Sequence, residues 1–361
     1  MTDGVSTHDP DRCYDGYTLY CESYEDPSDS PDGTAKIHLV DMVGEEVHRW
    51  EVETALQSFA ELRPNGNLLY PTRDRSDISE AGVREITPDS EGVWRYHCRI
   101  DHDFEVLENG NLLLHTITDD MAPAIGPGLK RNPYVLEVTP EKDVVWEWHG
   151  DDHFDDLREC LGDEQWTYVR DRIDEEYPFD WAHNNTCQVI PENETADRER
   201  ARGDDPRFAP GNLTFSYRSL DVIGVIDRES GDIVWAWGPG ELDGQHNPQV
   251  LPNGNVLLFD NGTRREYSRV LELDPLAESI EWEYAATPED DFFSPYVSGV
   301  QRLPNGNTLV CEGFSARLFE VTPDGDVVWD FTNPFDDEGG LGNVYQCKRY
   351  DREYVEPLLE A

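Results

Sequence analysis

The chain has 361 residues, with 77 acidic and 29 basic side chains and a formal net charge of −48. That balance argues against nucleic acid as a partner, because phosphate binding needs a basic face. It also implies strong self-repulsion that only concentrated salt relieves, since at molar salt the Debye length falls to about 3 Å. The acids are spread along the whole chain rather than gathered in a tail, so the charge reads as salt adaptation of a cytoplasmic protein. No apolar run approaches a membrane span, and MTDGVSTHDPDRC at the start lacks the basic and apolar regions of a signal peptide. Seven cysteines without a CxxC pair are expected to be reduced and mostly buried, forming neither a disulfide frame nor a zinc site.

The first predicted strand is GYTLYCESY (16–24). It is followed by HLVDMVGEEVHRW (38–50), the first copy of a repeated phrase: an apolar strand, a turn with Asp, Gly or Pro, and a second strand ending in tryptophan. Further copies end at Trp94, Trp146, Trp235, Trp282 and Trp329. The intervals run from about 44 to 52 residues, with one of about 89 that carries two insertions. A second phrase alternates with the first, a hairpin whose clearest copy is GQHNPQVLPNGNVLLFDNG (244–262). Asn-Gly between apolar runs is a strong hairpin signal.

Four short strands per unit at a period in the forties predict an all-β, six-bladed β-propeller forming a single domain over residues 1–361. Innermost strands are expected near 58–63, 102–107, 183–190, 246–251 and 298–303. The sixth, NVYQCKRY (343–350), comes from the C-terminus and joins the N-terminal strands in one blade, which removes an open sheet edge. Of the two insertions, 151–178 has helical apolar spacing (Phe154, Leu157, Trp166, Val169, Ile173) and is expected to form one or two short helices near one mouth of the propeller. The second, 193–212, is polar and reads as a surface loop. The connection 117–133 reads as a long, flexible segment bordering a pocket.

A propeller aims the start of each innermost strand at its axis. His102 and His246 lie seven residues before the turn asparagines Asn109 and Asn253, and Ser58 and Ser298 hold the same place elsewhere. His183 occupies a similar place less regularly. Arg218, on the second strand of the His183 blade, is a candidate to face the same space. Three imidazoles and one guanidinium in so acidic a chain predict a local anion site. The remaining histidines read as structural, with His115 and His149 as possible rim residues. Phosphate-loop, dinucleotide-binding and nucleophile-elbow motifs are all missing.

Phe179-Asp180-Trp181-Ala182-His183-Asn184-Asn185 resembles the DW-x-H-x-N segment of the arylsulfate sulfotransferases, and Ser216-Tyr217-Arg218 resembles the S-x-R strand that follows it. Trp235 and Gly238, Gln245-His246, Phe259-Asp260-Asn261-Gly262 and Ser268-Arg269 resemble that family's W-x-x-G, QH, FDNG and SR series, in order. The resemblance implies a six-bladed propeller and, given the charge, a haloarchaeal-like cytoplasmic member. It implies transfer of a sulfuryl group from a phenolic sulfate ester to a phenolic acceptor, without a nucleotide donor, cofactor or metal. By resemblance His246 takes the place of the transiently sulfated histidine. His102, His183 and Arg218 hold the sulfate oxygens, and Asn185, Asp260 and Asn261 bind substrate. Two other readings stay open: a non-catalytic binding or scaffold propeller, and a lyase or hydrolase with a metal on His102, His183 and His246.

Overall fold

The computed structural model describes residues 4–23, 35–52, 54–73, 81–334 and 343–359. Its sheets are antiparallel and follow the repeat: an innermost strand, a tight turn, a second strand, then the tryptophan hairpin. Six four-stranded blades result, and the fold class is the six-bladed β-propeller. Contacts divide the chain into two compact units, one of Met1–Ile100 with Phe292–Ala361 and one of Asp101–Asp291.

In the first unit the chain's two ends share a blade. Asn343–Asp351 pairs with Gly16–Ser23, which pairs with Ala35–Val40 and then Glu46–Val52. This is the predicted closure; residue 24 lies outside the described residues. Trp50 is buried among Tyr17, Leu19, Leu39 and Leu68, so the tryptophan ending the hairpin anchors the blade in an apolar core.

The next innermost strand is interrupted. Ala55–Leu56 and Glu61–Leu62 both pair with Leu68–Arg73, with Leu56 opposite Thr72 but Glu61 opposite Leu69. The inner side therefore carries extra residues, which must bulge out of the ladder. The sequence pattern also gave no sign of Val5–His8, which adds a fifth strand beside Val327–Thr332 and covers that sheet's outer edge.

The second unit holds the three histidine blades, with innermost strands Ile100–Val106, Asn184–Val189 and His246–Val250. The insertion at 151–178 forms helices Phe154–Cys160 and Asp163–Asp171 and a π-turn, Arg172–Glu176. Phe154, Leu157, Val169 and Ile173 enter the same buried cluster as Trp181, Phe215 and Tyr217, so this insertion is part of the blade's core.

Two expectations for this unit are corrected. Residues 117–133 are not a loose connection: the ladder runs unbroken from Leu112 opposite Val138 to Met121 opposite Leu129. The small residues occupy only its tip. The 193–212 insertion contains a helix, Glu194–Arg202, started by Asn193, whose side chain accepts from the Ala196 N–H, and stopped by Gly203 at φ 87°. Its polarity misled because few of its side chains need burial, while Thr195 Oγ1 docks on the Gly254 carbonyl at 2.8 Å. Asn193→Ala should remove that cap and lower stability by about 1 kcal/mol, read as a shifted denaturant midpoint.

Candidate active site

The segment before His183 is held from several sides. Trp181 is fully buried, with ring contacts to Phe154 and Tyr217 at 5.3 Å, and its Nε1–H donates to Asn132 at 3.0 Å. Lys130, on the extended hairpin, donates from Nζ to the Pro127 and Pro178 carbonyls. Asp180 then meets His183 Nδ1 at 2.7 Å. The aspartate and tryptophan of this motif thus orient and anchor the histidine that follows.

His183 and His102 both have left-handed backbone, at φ 41° and 60°. Non-glycine residues seldom adopt this conformation, and it clusters at functional sites where surrounding structure enforces it. The two rings lie edge to face, with centroids 4.9 Å apart. His102 Nδ1 lies 2.9 Å from an Asp101 carboxylate oxygen. Arg218 follows the buried strand Leu213–Tyr217, and its N–H donates to the His183 carbonyl at 3.3 Å. Its guanidinium lies against Gly244, two residues before His246. It borders a cavity of about 40 Å³ that Arg172, Tyr177 and Arg264 also line, so the end of the 151–178 insertion reaches this site.

His246 is 2% exposed. Its Nδ1 lies 2.7 Å from Asn261 Oδ1. An amide oxygen can only accept, so Nδ1 carries the proton and the lone pair lies on Nε2. Burial holds the imidazole well below its ordinary pKa, and the positive charge of Arg218 pushes it further down. His102 and His183 act in the same direction. Arg218, His102 and His183 thus act on His246 as one electrostatic neighbourhood.

The other residues expected to bind substrate have different partners. Asn185 Nδ2 donates to the Gln245 carbonyl at 2.9 Å, and Gln245 Nε2 reaches Ser216 Oγ and the Val222 carbonyl, each at 3.0 Å. Asn185 therefore fixes the residue preceding His246. Asp260 is fully buried, accepting from the Asp243 N–H at 2.8 Å and pairing with Arg265 and Arg269. Ser268 Oγ donates to the Asn261 carbonyl at 2.8 Å. Gly262 has φ 70°, and a Cβ there would meet the Tyr267 carbonyl oxygen. The FDNG and SR motifs thus build the turn that presents Asn261 to His246.

His115, read as structural with a rim position left open, is fully buried. Its Nδ1 bonds the Asp101 carbonyl at 2.5 Å. Its strand belongs to the repeat, but no histidine recurs at this place in the other copies, and the pairing of neighbouring strands reveals the contact. Burial, with added repulsion from His102 and His183, pushes its pKa down to about 4 against the pull of Asp101. The same three histidines hold the Asp101 carboxyl below its ordinary range, overcoming the burial that would raise it.

The neutral His115 has a consequence for stability. The folded ring binds its proton only near pH 4, whereas the unfolded ring does so at its ordinary 6.5. The unfolded chain therefore binds more protons in between, so this contribution is present above pH 6.5 and is lost as pH falls toward about 4. Its size is on the order of 3 kcal/mol. Denaturant midpoints across this range should show the loss in wild type, and His115→Gln should lack that component.

Among the described residues, ligand atoms come close enough to share an ion in two groups, Asp101–His102–His115 and His153–Asp156–Asp232. The alternative metal set of His102, His183 and His246 is not one of them. All seven cysteines are free, and no described helix is long and apolar enough to cross a membrane.

Among solved structures the chain is similar to a protein of unknown function from Bacteroides caccae, at 14% identity and a TM-score of 0.57, covering 93% of this chain and 99% of that one. It is also similar to a streptogramin B lyase, at 11% identity and TM-score 0.45, covering 91% and 90%. A catalytically inactive virginiamycin B lyase from Staphylococcus aureus with quinupristin matches at 11% and 0.45, covering 92% and 88%. Identities this low speak to fold alone. No curated protein sequence matches. A family profile described as Arylsulfotransferase (ASST) matches residues 60–334, most of the chain and all three histidine blades. That span includes each motif built around His183, Arg218 and His246, and the chain belongs to the arylsulfotransferase family.

Proposed function

We propose that this arylsulfotransferase-family protein moves a sulfuryl group from a phenolic sulfate ester to a phenolic acceptor through a sulfated His246, with no nucleotide donor. The observation that carries the reading is the 2.7 Å contact between His246 Nδ1 and Asn261 Oδ1. It places the proton on Nδ1 and the lone pair on Nε2. The lowered pKa keeps the ring neutral, hence nucleophilic, across the neutral range.

In the first step Nε2 attacks sulfur. The N–S bond forms as the bond from sulfur to the phenolic oxygen breaks, and the electron pair leaves with the phenolate. The imidazole keeps its Nδ1 proton, and Asn261 Oδ1 accepts from the cationic ring. In the second step an acceptor phenol attacks sulfur, its proton passes to solvent, and the N–S electrons return to Nε2. Sulfuryl transfer spreads negative charge over three oxygens, and Arg218, His102 and His183 are the groups proposed to bind them. Donors fixed before reaction stabilise developing charge without reorganising.

Intact-protein mass in high salt, after brief mixing with 4-nitrophenyl sulfate and a non-acidic quench, tests the reading. One added SO₃ group with release of nitrophenolate supports it. No adduct and no nitrophenolate with any of several phenolic acceptors would overturn it.

A further inference from the structure

His115 sits on the second strand of its blade, Leu112–Met121, next to the innermost strand that carries Asp101 and His102. Its Nδ1 is committed to the Asp101 main-chain carbonyl. That bond makes Nδ1 the donor and leaves a lone pair on Nε2. This nitrogen is buried and has no hydrogen-bond partner among the described residues. A buried acceptor left unpaired costs free energy that water or a donor would normally relieve. Ligand atoms of Asp101, His102 and His115 lie within 4.8 Å of one another.

This arrangement has the marks of a metal centre. A histidine that ligates through one nitrogen commonly donates from the other to a backbone carbonyl or a carboxylate, which fixes tautomer and ring orientation. Two imidazoles and one carboxylate form a borderline nitrogen and oxygen donor set, suited to zinc-class divalent ions rather than to magnesium or calcium. Three protein ligands also leave a coordination position open. His102 holds a left-handed φ of 60°, a backbone cost that the surroundings must support.

We propose that Asp101, His102 and His115 bind one divalent transition ion of the zinc class. The inference does not depend on the sulfuryl reading, although it shares His102 with it. An ion there would add positive charge beside the His102–His183 pair.

Other features carry less. His153, Asp156 and Asp232 also lie close together, but Asp232 is exposed and the Asp156 oxygen already accepts from His153 and from the Ile233 N–H. The hollow of about 430 Å³ by Trp50 and Leu358 has nothing to say what fills it.

The test is a titration of chelator-treated, full-length protein with Co²⁺ in molar KCl, followed by Zn²⁺ competition. One equivalent should bind, with the visible absorption of a histidine-ligated, low-coordinate cobalt site, and Zn²⁺ should displace it. His115→Ala and Asp101→Asn should each weaken binding by at least about 10²-fold, since each removes a ligand. His153→Ala should leave the spectrum unchanged. Should His115→Ala fail to fold, His102→Gln, at a partly exposed position, provides the same reading. Absence of the cobalt band, or a band that survives loss of His115 or His102, would overturn the proposal. The mass adduct at His246 is a separate readout, so failure of either idea is seen independently.

Discussion

His246→Ala is expected to lower kcat with 4-nitrophenyl sulfate by at least about 10⁴-fold and to eliminate the SO₃ adduct. A covalent route that loses its nucleophile keeps only the contribution of binding and charge stabilisation, and losses of this order are usual when a nucleophile is removed. The variant should still fold. The truncated ring leaves Asn261 Oδ1 without its 2.7 Å partner, a cost of about 1–3 kcal/mol for a buried acceptor. The turn itself remains tied by Ser268 on the Asn261 carbonyl and by Asp260 on Arg265 and Arg269. A circular dichroism spectrum like wild type, together with absent turnover, is the expected combination. Turnover near wild type in this variant would refute a sulfated His246.

Arg218→Ala should reduce kcat/KM by roughly 10²–10³-fold, the range seen when one fixed donor to a developing oxyanion is removed. Arg218→Lys should recover little of it, because a point charge on a flexible stem does not replace a planar fork. A second readout separates this role from a merely structural one. After burial, the Arg218 charge is the largest influence holding the His246 pKa down. Removing it makes His246 easier to protonate, so the acid limb of the pH–rate profile should move to higher pH in Arg218→Ala. An unchanged acid limb would mean that the guanidinium does not face His246.

The propeller was legible because its repeat is written in types of residue that report local geometry. Asn-Gly turns mark four blades and strand-ending tryptophans all six, and Trp50 and Trp329 are indeed buried. The closing blade could be found from an arithmetic deficit, three strands at one end and one at the other, and Asn343–Asp351 does pair with Gly16–Ser23. The motif series around His183 and His246 was also visible, but the part each residue plays was not. Asn185 and Asp260 belong to those motifs and were expected, by resemblance, to bind substrate. In the structure Asn185 donates to the Gln245 carbonyl, and Asp260 accepts from Asp243 in the 243–262 turn. Sequence proximity does not say which way a strand residue points, and the irregular registers at Asn184/Cys187 and His246/Gln249 change that direction locally.

The helix at Glu194–Arg202 and the long ladder at 112–138 show the limit of composition as a guide. A polar stretch with a good cap forms a helix without an apolar face to announce it, and small residues need mark only the tip of a hairpin. His115 is the sharper case. Its strand follows the repeated Asn109-Gly110-Asn111 turn, but no histidine recurs at that place in the other copies, and its partner Asp101 lies on another strand.

Composition and spacing alone thus specified the charge, the blade count and the way the chain ends meet, because each depends on local pattern or on a fixed repeat. Antiparallel pairing and burial decided the rest: the proton on His246 Nδ1, the supporting roles of Asn185 and Asp260, and the buried His115 beside Asp101. These depend on contacts between strands distant in sequence and on removal of water, and neither quantity is written in any short stretch of the chain.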